Sequence, residues 1–154
     1  MKGTVHYEVR DGVALLTVDN PPVNPLSEGV RNGLYEGIAK AEADSEVVGV
    51  VLTGKGRAFI AGADISEFGG NPSGHSLNEV FRSLEYCSKP VVAAINGITL
   101  GGGLETALCC NYRIASKEAF VGLPEVNLGL LPGGGGTQRL PRLTGPSEAL
   151  KMML

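Results

Sequence analysis

Residues 101–110, GGGLETALCC, decide the fold, because three consecutive glycines here begin a predicted helix. The helix follows the apolar run Val91–Ile95, which predicts a strand buried on both faces, and the turn pair Asn96-Gly97. A helix that begins with glycines presents bare backbone N–H groups and the positive end of the helix dipole. Such a helix start either packs tightly against the preceding strand or stabilises negative charge on a ligand, and the pattern allows both.

Glu105 lies on the apolar face of this predicted helix. The residues that share its face at helical spacing are Gly101, Leu104, Leu108 and Cys109. Burial disfavours the charged form of a carboxyl group, so the pKa of Glu105 is expected to rise toward the range useful for proton transfer at neutral pH. The alternative is a helix rotated so that Glu105 is a solvated surface residue.

A second carboxylate, Glu125, lies among apolar neighbours in residues 122–129, GLPEVNLG. It could interact with a helix dipole after Pro124, or it could form with Glu105 the acid–base pair that hydration and hydrolysis reactions use. Twenty residues and a strand separate the two glutamates, so their spacing does not show whether they meet.

Two other glycine-containing segments are candidates for ligand contacts. The turn at residues 61–64, AGAD, could donate a backbone amide, and Asp64 could equally cap the turn that follows. The four glycines at 133–136 fit neither the phosphate-loop pattern nor the spaced dinucleotide fingerprint, which argues against nucleotide hydrolysis and hydride transfer.

The composition predicts a single compact domain, residues 1–154, because 43% hydrophobic and 19% charged residues suit one sizeable core. A net charge of −3 without a dense Lys/Arg run argues against binding to nucleic acid or an anionic membrane. No apolar run in the sequence reaches the roughly 18 residues of a membrane span. A small molecule is therefore the expected partner.

No metal site and no disulfide framework are predicted. The three cysteines, Cys87, Cys109 and Cys110, are odd in number and lack the spacing of zinc or redox motifs, so they are interpreted as core residues. His6 and His75 have no neighbouring acid, cysteine or histidine that would indicate a metal or a catalytic triad.

Hydrophobic periodicity and turn residues predict an α/β fold. Strands at 5–9 and 13–18 should form a hairpin around Asp11-Gly12, and Ser27 should cap a helix that buries Val30, Leu34, Ile38 and Ala41. The other predicted elements are a strand at 47–52, a loop at 69–74, a helix at 77–87, short strands at 113–115 and 119–122, a helical turn from Pro124, a flexible glycine loop after Pro132 and a last helix from Ser147.

Three segments closely resemble the crotonase, or enoyl-CoA hydratase/isomerase, family. They are residues 61–65 (AGADI), residues 96–105 from the Asn-Gly pair to Glu105, and residues 123–140 from LPEVNLG through GTQRL. Residues 20–24 (NPPVN) and 130–133 (LLPG) look most like the amino-terminal hydratase/isomerase part of peroxisomal-type bifunctional β-oxidation enzymes, in which a 3-hydroxyacyl-CoA dehydrogenase region follows.

The resemblance implies a spiral of strand–strand–helix repeats. In the family, carboxy-terminal helices then cover the acyl site and often build trimers. Those helices are expected to be missing from residues 1–154, so this stretch is interpreted as part of a longer natural chain that turns over slowly or not at all in isolation.

The resemblance also implies hydration, the addition of water across the 2,3 double bond of a 2-enoyl-CoA. Glu105 would activate the water that attacks C3, and Glu125 would protonate C2. The amides of Ala63 and Gly102 would form an oxyanion hole, each contributing on the order of 3 kcal/mol, and the amide of Gly133 would help to hold the water.

The expected CoA contacts are the backbone of Val23, Asn24, Ala61, Gly62, Asp64 and Ile65, with Lys55 or Arg57 as candidates for the phosphates. Ser66 stands where many relatives have a lysine. The resemblance implies that hydration needs no cofactor, since NAD would serve only a dehydrogenase region that this stretch does not contain. It also implies a peroxisomal or, alternatively, a bacterial cytoplasmic setting, and it is compatible with a homo-oligomer or an associated dehydrogenase region.

Three alternatives to hydration remain open. Double-bond isomerisation through Glu125 would be a second activity of the same site. A non-catalytic acyl-CoA-binding module is the alternative from another class of protein, and thioester hydrolysis or dehalogenation are other reactions within the family. The presence of both glutamates favours hydration.

Overall fold

The chain opens with an antiparallel hairpin. In a computed structural model that describes residues 3–67, 69 and 73–154, β1 (Thr4–Arg10) pairs with β2 (Val13–Asp19). The turn residues Asp11 and Gly12 both have positive φ, 48° and 77°, as a tight two-residue hairpin turn requires. The predicted hairpin is therefore confirmed.

The remaining strands and helices follow in alternation. The helices are α1 (Glu28–Ala43), α2 (Leu77–Glu85), α3 (Gly102–Cys109), α4 (Gly136–Thr144) and α5 (Pro146–Met153). The later strands are β3 (Gly49–Gly54), β4 (Ala58–Ala61), β5 (Val91–Ile95), β6 (Ile98–Leu100), β7 (Tyr112–Ala115) and β8 (Val121–Gly122). Short 3-10 turns cover Ile65–Glu67 and Pro124–Leu128, the latter as predicted from Pro124.

Two sheets divide the strands between them. The larger sheet has the order β1-β2-β3-β5-β7, and the smaller has the order β4-β6-β8. All pairings except the first hairpin are parallel. From β3 onward, each successive pair of strands contributes one strand to each sheet before the chain enters a helix or a 3-10 turn. This arrangement is the strand–strand–helix spiral that the family resemblance implies.

The main core contains residues of α1, α2 and both sheets. Its largest fully buried side chains include Leu16, Leu34, Leu52, Phe59 and Phe81, each of which stabilises the fold by about 1.5–3 kcal/mol on burial. The four positions predicted to be buried in α1 are all buried. A second, smaller cluster joins α3 to α4 and α5 through Leu104, Leu108, Leu123, Leu140 and Ala149.

Helix α3 is buried along its whole length, and it lies unusually close to β4. A β-carbon on Gly103 would overlap the main-chain carbonyl of Ile60. Only glycine therefore allows the helix to approach the strand to this distance.

Two parts of the fold differ from the prediction. Strands β4 and β6, and with them the smaller sheet, were not predicted, because four and three residues are too short to show a period of two. Helix α4 was not predicted either, since it begins at Gly136 and contains Pro141, and both residue types disfavour a helix. Ser27 occupies the cap position of α1, but its hydroxyl accepts a hydrogen bond from Asn20 instead of capping the helix.

No helix in the described part of the chain is long and apolar enough to cross a membrane. In the same residues, no group of three or more His, Cys, Asp or Glu could hold a metal ion. Cys109 and Cys110 are buried and Cys87 is partly buried, as the core interpretation predicted. Within the predicted loop at 69–74, residues 70–72 lie outside the described residues.

Replacing Gly103 with Ala tests the close packing of α3 on β4. The new methyl group has to displace the Ile60 carbonyl, so we expect the free energy of unfolding in urea to fall by about 1–3 kcal/mol. The matched control is Gly49→Ala in β3, where the new methyl group would stand 3.4 Å from the Pro90 carbonyl oxygen, an ordinary contact. Equal stabilities for the two variants would contradict the packing argument.

Candidate active site

The three parallel strands of the smaller sheet deliver the site residues to one edge. The paired residues Ala61, Leu100 and Gly122 end β4, β6 and β8, so the segments that follow these strands emerge side by side. Main-chain hydrogen bonding continues just past the strand ends, because the Gly101 amide donates to the Gly122 carbonyl at 2.9 Å. The carboxyl edge of a parallel sheet is where ligands commonly bind in α/β proteins.

A cavity of about 560 Å³ opens at this edge. Its walls include residues 61–65, the start of α3, part of the 3-10 turn Pro124–Leu128, and the first two residues of the glycine loop, which is defined as residues 133–136. Its apolar side chains include Leu26, Ile65, Leu77, Leu100, Leu128, Leu130 and Leu131. The volume suits a small molecule, and the apolar wall suits an aliphatic group.

Two backbone amides in the cavity wall have no acceptor among the residues that the structure describes. A β-carbon placed on Gly102 would stand 3.7 Å from the amide nitrogen of Ala63, so the two residues lie close together. The β-bridge between Ala63 and Leu26 uses the Gly62 carbonyl, which accepts the Leu26 amide at 2.9 Å. Among the described residues, neither Ala63 N nor Gly102 N donates a hydrogen bond. Two such donors, one of them at a helix amino terminus, suit a developing negative charge.

Glu105 lies in the cavity wall, although only 3% of the residue is exposed. Its Oε1 accepts the amide of Gly136 at 2.8 Å, and the amide of Gly134 also approaches the carboxylate. A β-carbon on Gly134 would lie 2.5 Å from Oε2, so any larger residue there would displace the carboxylate. The glycine loop therefore holds Glu105 through main-chain donors.

Glu125 supplies the second carboxyl group in the cavity. A β-carbon on Gly101 would stand 3.2 Å from Glu125 Oε1, which places this carboxyl group beside the start of α3. Its Oε2 is buried and has no hydrogen-bond partner in the described part of the chain.

The two carboxyl groups have raised pKa values for partly different reasons. Burial raises the pKa of Glu105, while the amides of Gly136 and Gly134 and the charge of Arg139 oppose the rise. Burial also raises the pKa of Glu125, its own main-chain amide opposes the rise, and the negative charge of Glu105 adds to it. Main-chain donors stabilise the charged form of Glu105, whereas Oε2 of Glu125 has no donor among the described residues.

The structure brings most of the predicted site residues to the cavity. Its lining includes Ala61, Gly62, Ala63, Asp64, Ile65, Gly102, Glu105, Glu125 and Gly133. Asp64 accepts hydrogen bonds from the amide and hydroxyl of Ser66, as expected of a residue that caps the following turn.

Val23 and Asn24 do not line the cavity. The Val23 carbonyl accepts the Ala61 amide at 3.0 Å. The Asn24 side chain is buried and donates to the carbonyls of Lys55 and Ala58, so it organises the β3–β4 turn. Lys55 forms an exposed ion pair with Asp19 at 2.6 Å.

Sequence reasoning missed two groups of site residues. Gly134 and Gly136 contact Glu105, whereas the prediction chose only Gly133 from the same glycine run. Arg31 of α1 is only 7% exposed, and its guanidinium bonds Glu67 at 2.6 Å and the Leu26 carbonyl at 2.8 Å. The sole signal for Arg31 was its position between Val30 and Leu34, close to the apolar face of the helix.

Comparisons with known proteins show the family of the chain. Residues 8–154 match the family described as enoyl-CoA hydratase/isomerase. The chain is 51% identical to a peroxisomal bifunctional enzyme of Danio rerio over 96% of this chain and 21% of that protein. It is 45% identical to a probable enoyl-CoA hydratase of Bacillus subtilis over 92% of this chain and 57% of that protein.

Solved structures show the same fold. A Pseudomonas aeruginosa protein, DspI, matches with a TM-score of 0.89 and 37% identity over 97% of this chain and 64% of that one. An enoyl-CoA hydratase of Bacillus anthracis matches with a TM-score of 0.87 and 35% identity over 99% of this chain and 62% of that one. The chain therefore belongs to the enoyl-CoA hydratase/isomerase, or crotonase, family. It spans about a fifth of the length of the bifunctional relative and less than two thirds of the others named here.

Replacing Glu125 with Gln tests the burial of an unpaired carboxyl group. Because the folded-state pKa of Glu125 is raised, its stabilising contribution is complete at low pH and is lost as the pH rises through that value. We therefore expect Glu125→Gln to raise the Tm at pH 8, with the gain disappearing toward pH 4. The exposed control Glu118→Gln should leave the Tm unchanged at both pH values. A change in Tm that is independent of pH would contradict the interpretation.

Proposed function

We propose that this chain catalyses the addition of water to a 2-enoyl-CoA, which yields a 3-hydroxyacyl-CoA. The proposal depends above all on the proximity of two amides that donate no hydrogen bond among the described residues, Ala63 N and Gly102 N, to two carboxyl groups in one cavity. Glu105 is buried and Glu125 is half-buried. Hydration needs both features, because charge develops on the thioester oxygen while one proton leaves water and another reaches C2. The name of the Bacillus subtilis relative, a probable enoyl-CoA hydratase, supports the same reaction.

The two amides are the proposed oxyanion hole. When water attacks C3, the electron pair of the double bond moves toward the thioester and forms an enolate. The Ala63 and Gly102 amides would donate to the enolate oxygen, and the dipole of α3 would add to this stabilisation. Fixed main-chain donors need no reorganisation during the reaction, so each is expected to contribute on the order of 3 kcal/mol.

The surroundings of the two glutamates support the following proposed proton transfers. Glu105, which accepts main-chain hydrogen bonds, would take a proton from the attacking water as the new C3–O bond forms. Glu125, whose Oε2 is unpartnered, would donate its proton to C2. The cycle ends with Glu105 protonated and Glu125 ionised, so one proton must return from Glu105 to Glu125 directly or through water. The two groups titrate as a coupled pair.

Double-bond isomerisation is the second proposed activity. Moving a proton between C2 and C4 needs one acid–base group and the same oxyanion hole, and Glu125 with its free oxygen suits that role. Glu105 would be dispensable for this reaction, because no water is added.

The remaining assignments follow from the same proposal. The backbone of Ala61, Gly62, Asp64 and Ile65 is the proposed contact for the CoA thioester arm, while Val23 and Asn24 would act by supporting that backbone. Gly133 remains the proposed contact for the water. The proposed hydration needs no cofactor. The relatives' names are compatible with fatty-acid β-oxidation in a peroxisome or a bacterial cytoplasm.

Replacing either glutamate with Gln separates the two activities. We expect Glu105→Gln and Glu125→Gln each to lower kcat for crotonyl-CoA hydration by about 10²–10⁴-fold, because each removes one proton transfer. Isomerisation of a 3-enoyl-CoA should fall much further in Glu125→Gln than in Glu105→Gln. Both reactions are followed by the absorbance of the conjugated thioester.

The exposed carboxylate variant Glu118→Gln is the control and should retain wild-type rates. If either glutamate variant hydrates crotonyl-CoA with the kcat of the wild-type protein, the roles proposed for the two glutamates are refuted. Acyl-CoA binding without hydration, seen in calorimetry for this chain and also for a longer chain that contains it, would favour the non-catalytic binding module.

A further inference from the structure

An ion pair behind the glycine loop connects α2 to the catalytic cavity. Arg139 of α4 donates from Nε and Nη2 to the two carboxylate oxygens of Glu85, at 3.1 and 2.8 Å. Its remaining terminal nitrogen, Nη1, donates to the Gly134 carbonyl at 2.7 Å. One guanidinium therefore fixes the end of α2 and the glycine loop relative to each other.

The Arg139–Glu85 ion pair is too exposed to contribute much to the stability of the folded protein. The side chains of Arg139 and Glu85 are 24% and 39% exposed, and pairs of that kind contribute only about 0–1 kcal/mol to folding. The ion pair also reaches the catalytic cavity, because Arg139 binds the carbonyl of Gly134 and the Cα of the same residue lies against the carboxylate of Glu105.

The glycine loop is held from two sides. On one side Arg139 binds the Gly134 carbonyl, and on the other the Gly136 amide binds Glu105 at 2.8 Å. Gly135 between them has a φ of 93°, a conformation that glycine adopts readily and does not by itself fix. External contacts must therefore hold the loop in the shape that presents its amides to Glu105.

We propose that Glu85 and Arg139 are positioning residues for hydration, which clamp the glycine loop so that the Gly134 and Gly136 amides hold Glu105 in place. This inference rests on the proposed function of Glu105 as the base. Neither residue needs to touch the substrate, because both act through the loop. Misplacing a catalytic group by about 1 Å can cost 10²-fold in rate, so a loose loop would be costly even in a well-folded protein.

A purely electrostatic role makes different predictions from the clamp. The groups that face Glu105 are Cys109 on its own helix, Glu125 on the 3-10 turn, Arg139 on α4 and, behind Arg139, Glu85 on α2. Burial raises the pKa of Cys109 to about 12, so its thiol stays neutral. Arg139 and Glu85 carry opposite charges, so removing each should shift the pH profile of kcat in opposite directions if charge alone matters.

The test compares Arg139→Ala, Glu85→Ala and the charge-conserving Arg139→Lys with the wild-type protein. The clamp predicts that all three lower kcat for crotonyl-CoA hydration by about 10- to 100-fold, while KM stays within about threefold. Lysine keeps the charge but cannot make the forked contact with Glu85 and the loop. Hydrogen exchange at the Gly136 amide, measured without substrate, should become about tenfold faster in all three variants.

The matched control is the exposed pair formed by Arg10 and Glu8, which has the same forked geometry, with both hydrogen bonds at 2.7 Å, far from the cavity in the first hairpin. Arg10→Ala and Glu8→Ala should leave kcat and Gly136 exchange within about twofold of wild type. Wild-type kcat and Gly136 exchange in Glu85→Ala, or full activity in Arg139→Lys, would overturn the clamp.

The two proposals fail in distinguishable ways. If neither this chain nor a longer chain that contains it hydrates crotonyl-CoA, the proposed function fails, and the exchange rate of Gly136 still decides whether Glu85 and Arg139 clamp the loop. If the wild-type protein is active and the variants behave like the control pair, the clamp alone is overturned. Melting curves and circular dichroism separate either result from a failure to fold.

Discussion

The parallel register of the smaller sheet is the constraint on which the site depends. Because β4, β6 and β8 end at the paired residues Ala61, Leu100 and Gly122, the chain leaves all three strands at the same edge. The next few residues of each segment then supply one part of the site: Ala63, Gly102 and Glu125. The close contact of Gly103 with the Ile60 carbonyl brings α3 down onto this edge. The distance between the amides of Ala63 and Gly102 is therefore set by the backbone and not by the conformation of any side chain.

The cavity contains two carboxyl groups that are shielded from water, which is unfavourable for folding. Glu105 is almost fully buried, and the oxygen Oε2 of Glu125 lacks a hydrogen-bond partner within the described ranges. Desolvation of such groups opposes folding, and the large apolar core offsets the cost. The main-chain donors of the glycine loop reduce it further at Glu105. Stability and the proposed chemistry are therefore in tension at these two residues.

Elements that are specified by residues close together in the sequence were predicted correctly. The first hairpin and α1 were predictable, because Asp11-Gly12 and the spacing of Val30, Leu34 and Ile38 are complete within short windows. The burial of Glu105 also followed from its position in an apolar helix. The convergence of residues 61–63 with Gly102 did not, because it depends on strands too short to recognise, and only the family resemblance supplied it. The contacts of Gly134, Gly136 and Arg139 depend on the shape of a glycine loop, which residue types alone do not specify.

A structure with a bound enoyl-CoA analogue tests the central claim most directly. The account predicts that the thioester oxygen lies about 2.7–3.1 Å from both Ala63 N and Gly102 N, with Glu105 facing C3 and Glu125 facing C2. A thioester oxygen that contacts only one of the two amides, or that lies outside the cavity, would contradict it.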